Sequence, residues 1–157
     1  MHIKTFFVKN KLLAFLISLA LGLLISYQIN FSTYSITIDF LSPKTENLQV
    51  FTSNYFSYSE RNSHTISTKK NIIFTPYKFD LKQRNILNLR IDPQGDFQIK
   101  SIIIQNRNNK FVYEGPELFS MINVKNQVTN LHIDNGIIHG TVTGIDPQIE
   151  LSNIPIL

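Results

Sequence analysis

The chain has 157 residues, 15 Lys+Arg against 11 Asp+Glu, and no cysteine. Without cysteine it can hold no disulfide, no reactive thiol and no Cys-based metal site. Three of the lysines fall in the first 11 residues, so residues 34–157 keep 12 basic against 11 acidic side chains; a nucleic-acid binder would concentrate basic charge on its folded domain, and none is expected as a partner.

Lys4, Lys9 and Lys11 precede Leu12–Ile29 (LLAFLISLALGLLISYQI), and no charged residue stands between Lys11 and Asp39. An apolar run of roughly 18 to 20 residues can cross a bilayer core as one helix. Basic flanks stay on the cytoplasmic side, so the N-terminus is expected inside and the C-terminal portion outside. Tyr27, Phe31 and Tyr34 suit the headgroup interface. A cleaved signal peptide shares the basic start, but its apolar region spans only roughly 7 to 15 residues. The small residues Ser18 and Ala20 lie in mid-run, with Leu21, Leu23, Leu24 and Ile25 still to come. The pattern favours an uncleaved signal anchor: residues 1–11 a cytoplasmic basic tail, 12–29 a transmembrane helix, 30–33 a linker, 34–157 an exported domain, with membrane lipid as an expected partner.

Beyond the anchor, helical periodicity is nearly absent. Tyr34, Ile36, Ile38 and Phe40 alternate with Ser35, Thr37 and Asp39, the period-two pattern of a half-buried strand. Leu48, Val50 and Thr52 predict a second strand, and the Ser/Thr-rich residues 57–70 a long surface loop. Residues 71–79 predict a strand that Pro76 confines to an edge or a bulge. Leu87, Leu89 and Ile91, the turn at 92–96 and Phe97–Gln105 read as a hairpin. Residues 110–113 predict a strand and Pro116–Ile122 a short helical turn. Residues 128–134, 137–142 and 148–151 complete about nine short strands, at the spacing of a sandwich.

Asn135-Gly136 is the sharpest local signal, because a type I′ turn needs positive φ at both central residues. A two-residue turn sets 134 against 137, 133 against 138 and 132 against 139. Leu131, Ile133 and Ile138 then share the core face, and His132 faces His139 on the other side with Asp134 nearby. His132, Asp134 and His139 are the candidate metal ligands, since imidazole suits zinc and copper. A solvent-facing polar pair explains them more economically, because polar cross-strand pairs of every type occur on exposed sheet faces. No cofactor is expected.

Tyr55, Phe56 and Tyr58 crowd three rings beside a polar loop. Such rings are stiff platforms with a polar tip, and sugars present apolar C–H faces to them; core packing is the competing role. Lys69, Lys70, Lys78, Lys82 and Arg84 form a modest basic cluster. No Gly-x-Ser-x-Gly elbow, phosphate loop or Gly-rich dinucleotide turn occurs, so no enzyme is expected. Ile91-Asp92-Pro93 and Ile145-Asp146-Pro147 echo each other, as strand ends where Asp is pushed extended by the proline.

Leu89-Arg90-Ile91-Asp92-Pro93 with Gly95, the following Phe97–Ile102 alternation and the late Gly144–Ile149 resemble extracytoplasmic jelly-roll β-sandwich domains of bacterial membrane proteins in cell-surface polysaccharide synthesis. The resemblance implies a carbohydrate-binding type of sandwich beside a membrane-embedded transferase or transporter. It carries over Arg90, Asp92, Asp146 and Pro147 as pattern residues with a structural role. Such domains usually belong to multi-pass proteins, whereas this chain has one apolar span. The expectation is therefore an all-β, jelly-roll-like sandwich behind a single transmembrane helix, a non-enzymatic envelope protein that binds glycan or assists a polysaccharide-assembly complex. A structural subunit of a larger complex, partnered by a multi-pass membrane protein, is the first alternative. A metal-dependent enzyme is the lesser one.

Overall fold

A computed structural model of the chain describes residues 3–29, 34–53, 57–81, 86–152 and 154, with side chains described from residue 11 to 26 in the first segment. The chain divides into two compact units, Met1–Ser32 and Thr33–Leu157.

The first unit is the helix α1, Ile3–Ile29. It contains the expected 12–29 helix and begins earlier, since nothing before Leu12 breaks a helix. Ser18 Oγ donates to the Ala14 carbonyl at 2.9 Å, which satisfies its hydroxyl against the helix's own backbone. Its exposed side chains include Leu12, Leu16, Leu19, Leu23 and Ile25. The expected membrane span is not shown by this helix: among the described residues no helix is long and apolar enough to cross a membrane.

The second unit is built of β1 (Tyr34–Leu41), β2 (Asn47–Ser53), β3 (Ser63–Ser67), β4 (Thr75–Leu81), β5 (Asn88–Pro93), β6 (Phe97–Gln105), β7 (Lys110–Glu114), α2 (Gly115–Met121), β8 (Ile122–Asn126), β9 (Val128–Asp134), β10 (Ile137–Val142) and β11 (Gln148–Leu151). One antiparallel sheet runs β4-β1-β6-β10-β9, with β7 also pairing β6; the other runs β3-β2-β5-β11-β8. The all-β expectation holds, with eleven strands among the described residues against about nine expected. Alternation drives the assembly. Ile36, Ile38 and Phe40 of the first sheet and Leu48, Val50, Leu89, Ile91, Ile149 and Leu151 of the second bury in one common core. Two inner faces sharing a core make a sandwich.

Local signals fare well where they fix local geometry. Pro76 sits on β4, the edge of its sheet, where a missing N–H breaks no ladder. Asn135 and Gly136 take φ 48° and 79°, and the rungs 134↔137, 133↔138 and 132↔139 form as expected. Ile138 is fully buried. A Cβ on Gly140 would strike the Phe97 ring, so glycine there lets β10 close on β6.

Three expectations change. The 57–70 loop contains a 3-10 turn, Glu60–Asn62, and the strand β3, which pairs with β2 from Asn47 to Phe51. The strand is half-exposed and polar, so no apolar run announces it. The predicted 87–105 hairpin does not form: β5 pairs with β2 and β11, and β6 with β1, in opposite sheets. The turn after Pro93 thus carries the chain across the core. Finally, β8 (INVKN) pairs with β11. It is a short edge strand whose Ile-Asn-Val-Lys alternation directly follows the helical turn and runs for only four residues.

Thr52 lies on the inner face, and its Oγ1 is buried without a hydrogen-bond partner among the described residues. An unmet hydroxyl costs about 1 to 3 kcal/mol. Thr52→Val is expected to raise the unfolding free energy by about 1 kcal/mol in denaturant titration. A loss of stability would show that the hydroxyl is satisfied.

Candidate functional site

The outward face of the second sheet gathers the most chemistry. Residues that alternate with the core positions come into register across three strands: Phe51 of β2 opposes Arg90 of β5, which opposes Glu150 of β11. One pair further along, Gln49 opposes Asp92. Period-two geometry puts Arg90 and Asp92 on one side, and they join there. Arg90 Nε donates to Asp92 Oδ1 at 2.9 Å and Nη2 to Oδ2 at 2.7 Å. Both side chains are largely shielded, at 16 % and 11 % exposure. A two-point fork of this kind is among the stronger ion pairs, because the planar groups match.

The guanidinium also covers Phe51, 3.9 Å above the ring centre. This explains how Phe51 can point outward and still be only 3 % exposed. Tyr58 closes the arrangement from the β2–β3 connection. Its ring meets Phe51 edge-on with centres 6.5 Å apart, and Arg90 stands 5.4 Å from the Tyr58 ring centre. The connection is braced at both ends. Ser53 Oγ donates to the Ser57 carbonyl at 2.7 Å, and Ser59 Oγ accepts from the Arg61 N–H at 3.3 Å as the cap of the 3-10 turn.

Charge alternates across this face. Lys125 Nζ of β8 lies 3.1 Å from Glu150 Oε2. The Tyr58 hydroxyl hydrogen-bonds the Glu150 side chain. Burial, then Glu150, pushes the Tyr58 phenol well above its usual 10.0, against the opposing pull of Arg90. Burial likewise raises the Asp92 carboxyl above 3.8; its bond to Arg90 opposes this, and Asp146 and Glu60 add to it. Gln49 Nε2 reaches Glu60 Oε2 at 3.5 Å at the rim.

The expected residues distribute unevenly. Tyr58 belongs to this face; Tyr55 and Phe56 lie outside the described residues, as do Lys82 and Arg84. Asp92 stands at the end of β5 as expected, and with Arg90 it also forms a partnered couple on this face. Asp146 does close a turn: its N–H donates to Gln127 Oε1 at 2.6 Å and its carbonyl accepts from Asn126 Nδ2 at 2.9 Å. Pro147 is buried behind it. Sequence reading missed Phe51, Glu150 and Lys125. Phe51 carried a signal, an aromatic ring at the polar phase of an alternating strand.

The histidine pair forms as expected, with rings stacked 12° from parallel and centres 5.0 Å apart. His132 Nδ1 lies 2.7 Å from the Asn130 carbonyl. A shallow cavity of about 260 Å³ lies against the pair, lined also by Leu41, Asp96 and Phe97. The metal expectation loses its third ligand. Asp134 sits one rung nearer the turn, opposite Ile137, and among the described residues no group of three or more side chains is placed to hold a metal ion.

No protein-family model, no curated protein and no solved structure matches the chain.

The raised phenol gives the face a pH signature. Between pH 10 and the higher value of the folded state, the folded chain holds a proton that the unfolded chain has lost. Stability therefore falls as pH rises through that interval. In unfolding titrations above pH 10, Tyr58→Phe is expected to flatten this fall, and absorbance titration should show one fewer tyrosine ionising late. An unchanged slope would mean that Tyr58 ionises freely.

Proposed function

We propose that this chain is a membrane-anchored, non-enzymatic protein of the bacterial cell envelope. Its exported β-sandwich, of jelly-roll type, binds glycan through the outward face around Tyr58. The observation that carries the reading is one row of complementary groups: the Tyr58 ring, the Arg90–Asp92 fork and the Glu150–Lys125 pair side by side on three strands and a braced loop. A sugar ring offers an apolar face and a rim of hydroxyls. An aromatic plate beside fixed donors and acceptors answers both. Paired charges suit this role, because their spare lone pairs and N–H groups accept and donate without an isolated ion being desolvated.

Anchoring rests on the uncharged stretch 12–29 inside the 27-residue helix α1. Such a helix is about 40 Å long at 1.5 Å per residue, and the lysines before it favour a cytoplasmic N-terminus. The resemblance carried by residues 89–102 and 144–149 supports a place beside a polysaccharide-assembly complex.

A second reading, a subunit that pairs with a larger membrane protein and binds no small ligand, is favoured by the free edge of the second sheet. There, among the described residues, β8 has one strand neighbour, and Val124 is 43 % exposed. Unpaired edges invite a partner's strand. The molar mass of the gently solubilised protein separates the readings: an assembly containing a multi-pass protein favours the second, a lone chain the first.

Glycan binding is tested by affinity electrophoresis of the full chain through gels containing neutral or acidic bacterial polysaccharides. The wild type is expected to be retarded, and Tyr58→Ala to weaken retardation by about tenfold or more, as loss of a central aromatic contact does. Retardation unaffected by Tyr58→Ala would reject this face as the site. No retardation of the wild type in either kind of gel would reject glycan binding.

A further inference from the structure

At one end of the sandwich the connections display bare isoleucine. Ile72 is 92 % exposed, Ile73 69 % and Ile145 99 %. The connections share that end because β1 finishes there at Leu41, opposite Gln98 of β6, while β4 begins there with Thr75 opposite Phe40. Gly144, next to Ile145, lines a common cleft with Pro43 and Asp96. Adjacent isoleucines exposed to this extent are unusual on a folded domain, where large apolar groups in sequence normally turn inward.

The display is held in place. The Lys69 N–H donates to Tyr77 Oη at 3.1 Å, the Lys70 N–H to Thr45 Oγ1 at 3.3 Å and the Asn71 N–H to the Ser42 carbonyl at 3.3 Å. Asn71 Nδ2 donates to Thr75 Oγ1 at 2.6 Å across the base of the loop. With both stems tied down, Ile72 and Ile73 form the projecting tip. Lys69 and Lys70 are exposed beside it and make no ion pair among the described residues.

The acids at this end are already engaged. Glu46 is hydrogen-bonded by Ser42, Asp96 Oδ1 accepts from the Val142 N–H at 3.0 Å, and Asp146 Oδ2 from Gln148 Nε2 at 2.8 Å. The charged side chains nearest Ile72 and Ile73 in the chain are the exposed Lys69 and Lys70.

We propose that the 69–74 loop docks on a bilayer that contains anionic lipid. Ile72 and Ile73 enter the headgroup region, Lys69 and Lys70 meet the lipid phosphates, and Ile145 supplies a second contact from the neighbouring turn. Apolar side chains flanked by basic ones are the composition that interfacial binding uses. The shape agrees. Three isoleucines on two narrow projections fall well short of the roughly 800 Å² per partner of a stable protein interface, whereas a projecting tip needs no complementary pocket to enter lipid.

Residues 34–157 serve for the test, since the second compact unit is Thr33–Leu157 and the core residues among those described lie between Tyr34 and Ile154. The probe is sedimentation with phosphatidylcholine vesicles, with and without phosphatidylglycerol. The expected result is binding to the anionic vesicles, weakened about tenfold or more by Ile72→Ser with Ile73→Ser and, separately, by Lys69→Glu with Lys70→Glu. These side chains are exposed, so melting temperatures of the variants should match the wild type and separate lost docking from lost folding. Equal binding to neutral vesicles would overturn the anionic assignment. No binding, or binding that the isoleucine variants leave unchanged, would overturn the docking loop.

Discussion

The period-two alternation of the strands is the constraint on which the rest of the structure depends. Each strand of the sandwich has one face to bury and one to show. Ile91 of β5 is locked between Val50 and Ile149 on the core side, and this fixes where its neighbours Arg90 and Asp92 must point. A slip of one residue would send both charges into the core, at a cost no partner could offset. The buried face therefore sets the register, and the register sets the geometry of the outer face without any separate device.

That outer face is half-dry, and its charges are arranged accordingly. Isolated, Asp92 would be costly to hold where it is. Against the Arg90 fork its two oxygens are both engaged, and the guanidinium spends its flat side on Phe51. The same cation thus satisfies a carboxylate in its plane and an aromatic ring beneath it, a combination a lysine could not offer. Burial still prevails in the Asp92 carboxyl, which stays raised despite its partner. The guanidinium that the pair fixes lies over Phe51 and beside Tyr58, so the pair holds both rings in one arrangement.

What was legible in the sequence was what local chemistry decides. Asn135-Gly136 dictated a turn and the three rungs nearest it, the register slipping by one residue beyond His139, and Pro76 confined its strand to an edge or a bulge. Strand partnership was not legible, because Leu89 to Ile102 reads alike whether the turn folds β6 back on β5 or carries it to the other sheet. Two edge strands escaped for other reasons: β3 is polar, and the alternation of β8 spans only Ile122 to Lys125 directly after a helical turn. Within the candidate face Tyr58 stood out as an aromatic in a polar loop. The role of Arg90 did not, since a bidentate partner two residues on looks like ordinary charge alternation until the strand is known to bury its other side.

The commitments of the acidic groups on this face bear on the kind of chemistry it can support. A general acid or base needs a titratable group able to hand its proton to a substrate atom and take it back. Here Asp92 is clasped by Arg90, and Glu150 by Lys125 and the Tyr58 hydroxyl. Moving a proton through either would first break a contact that holds the face together. Recognition asks for the opposite, groups whose positions do not change when the ligand arrives, because rigid partners lose the least freedom on binding. A braced loop, a stacked cation and two ion pairs form such a surface, and this is the physical reason that binding is the role proposed for it.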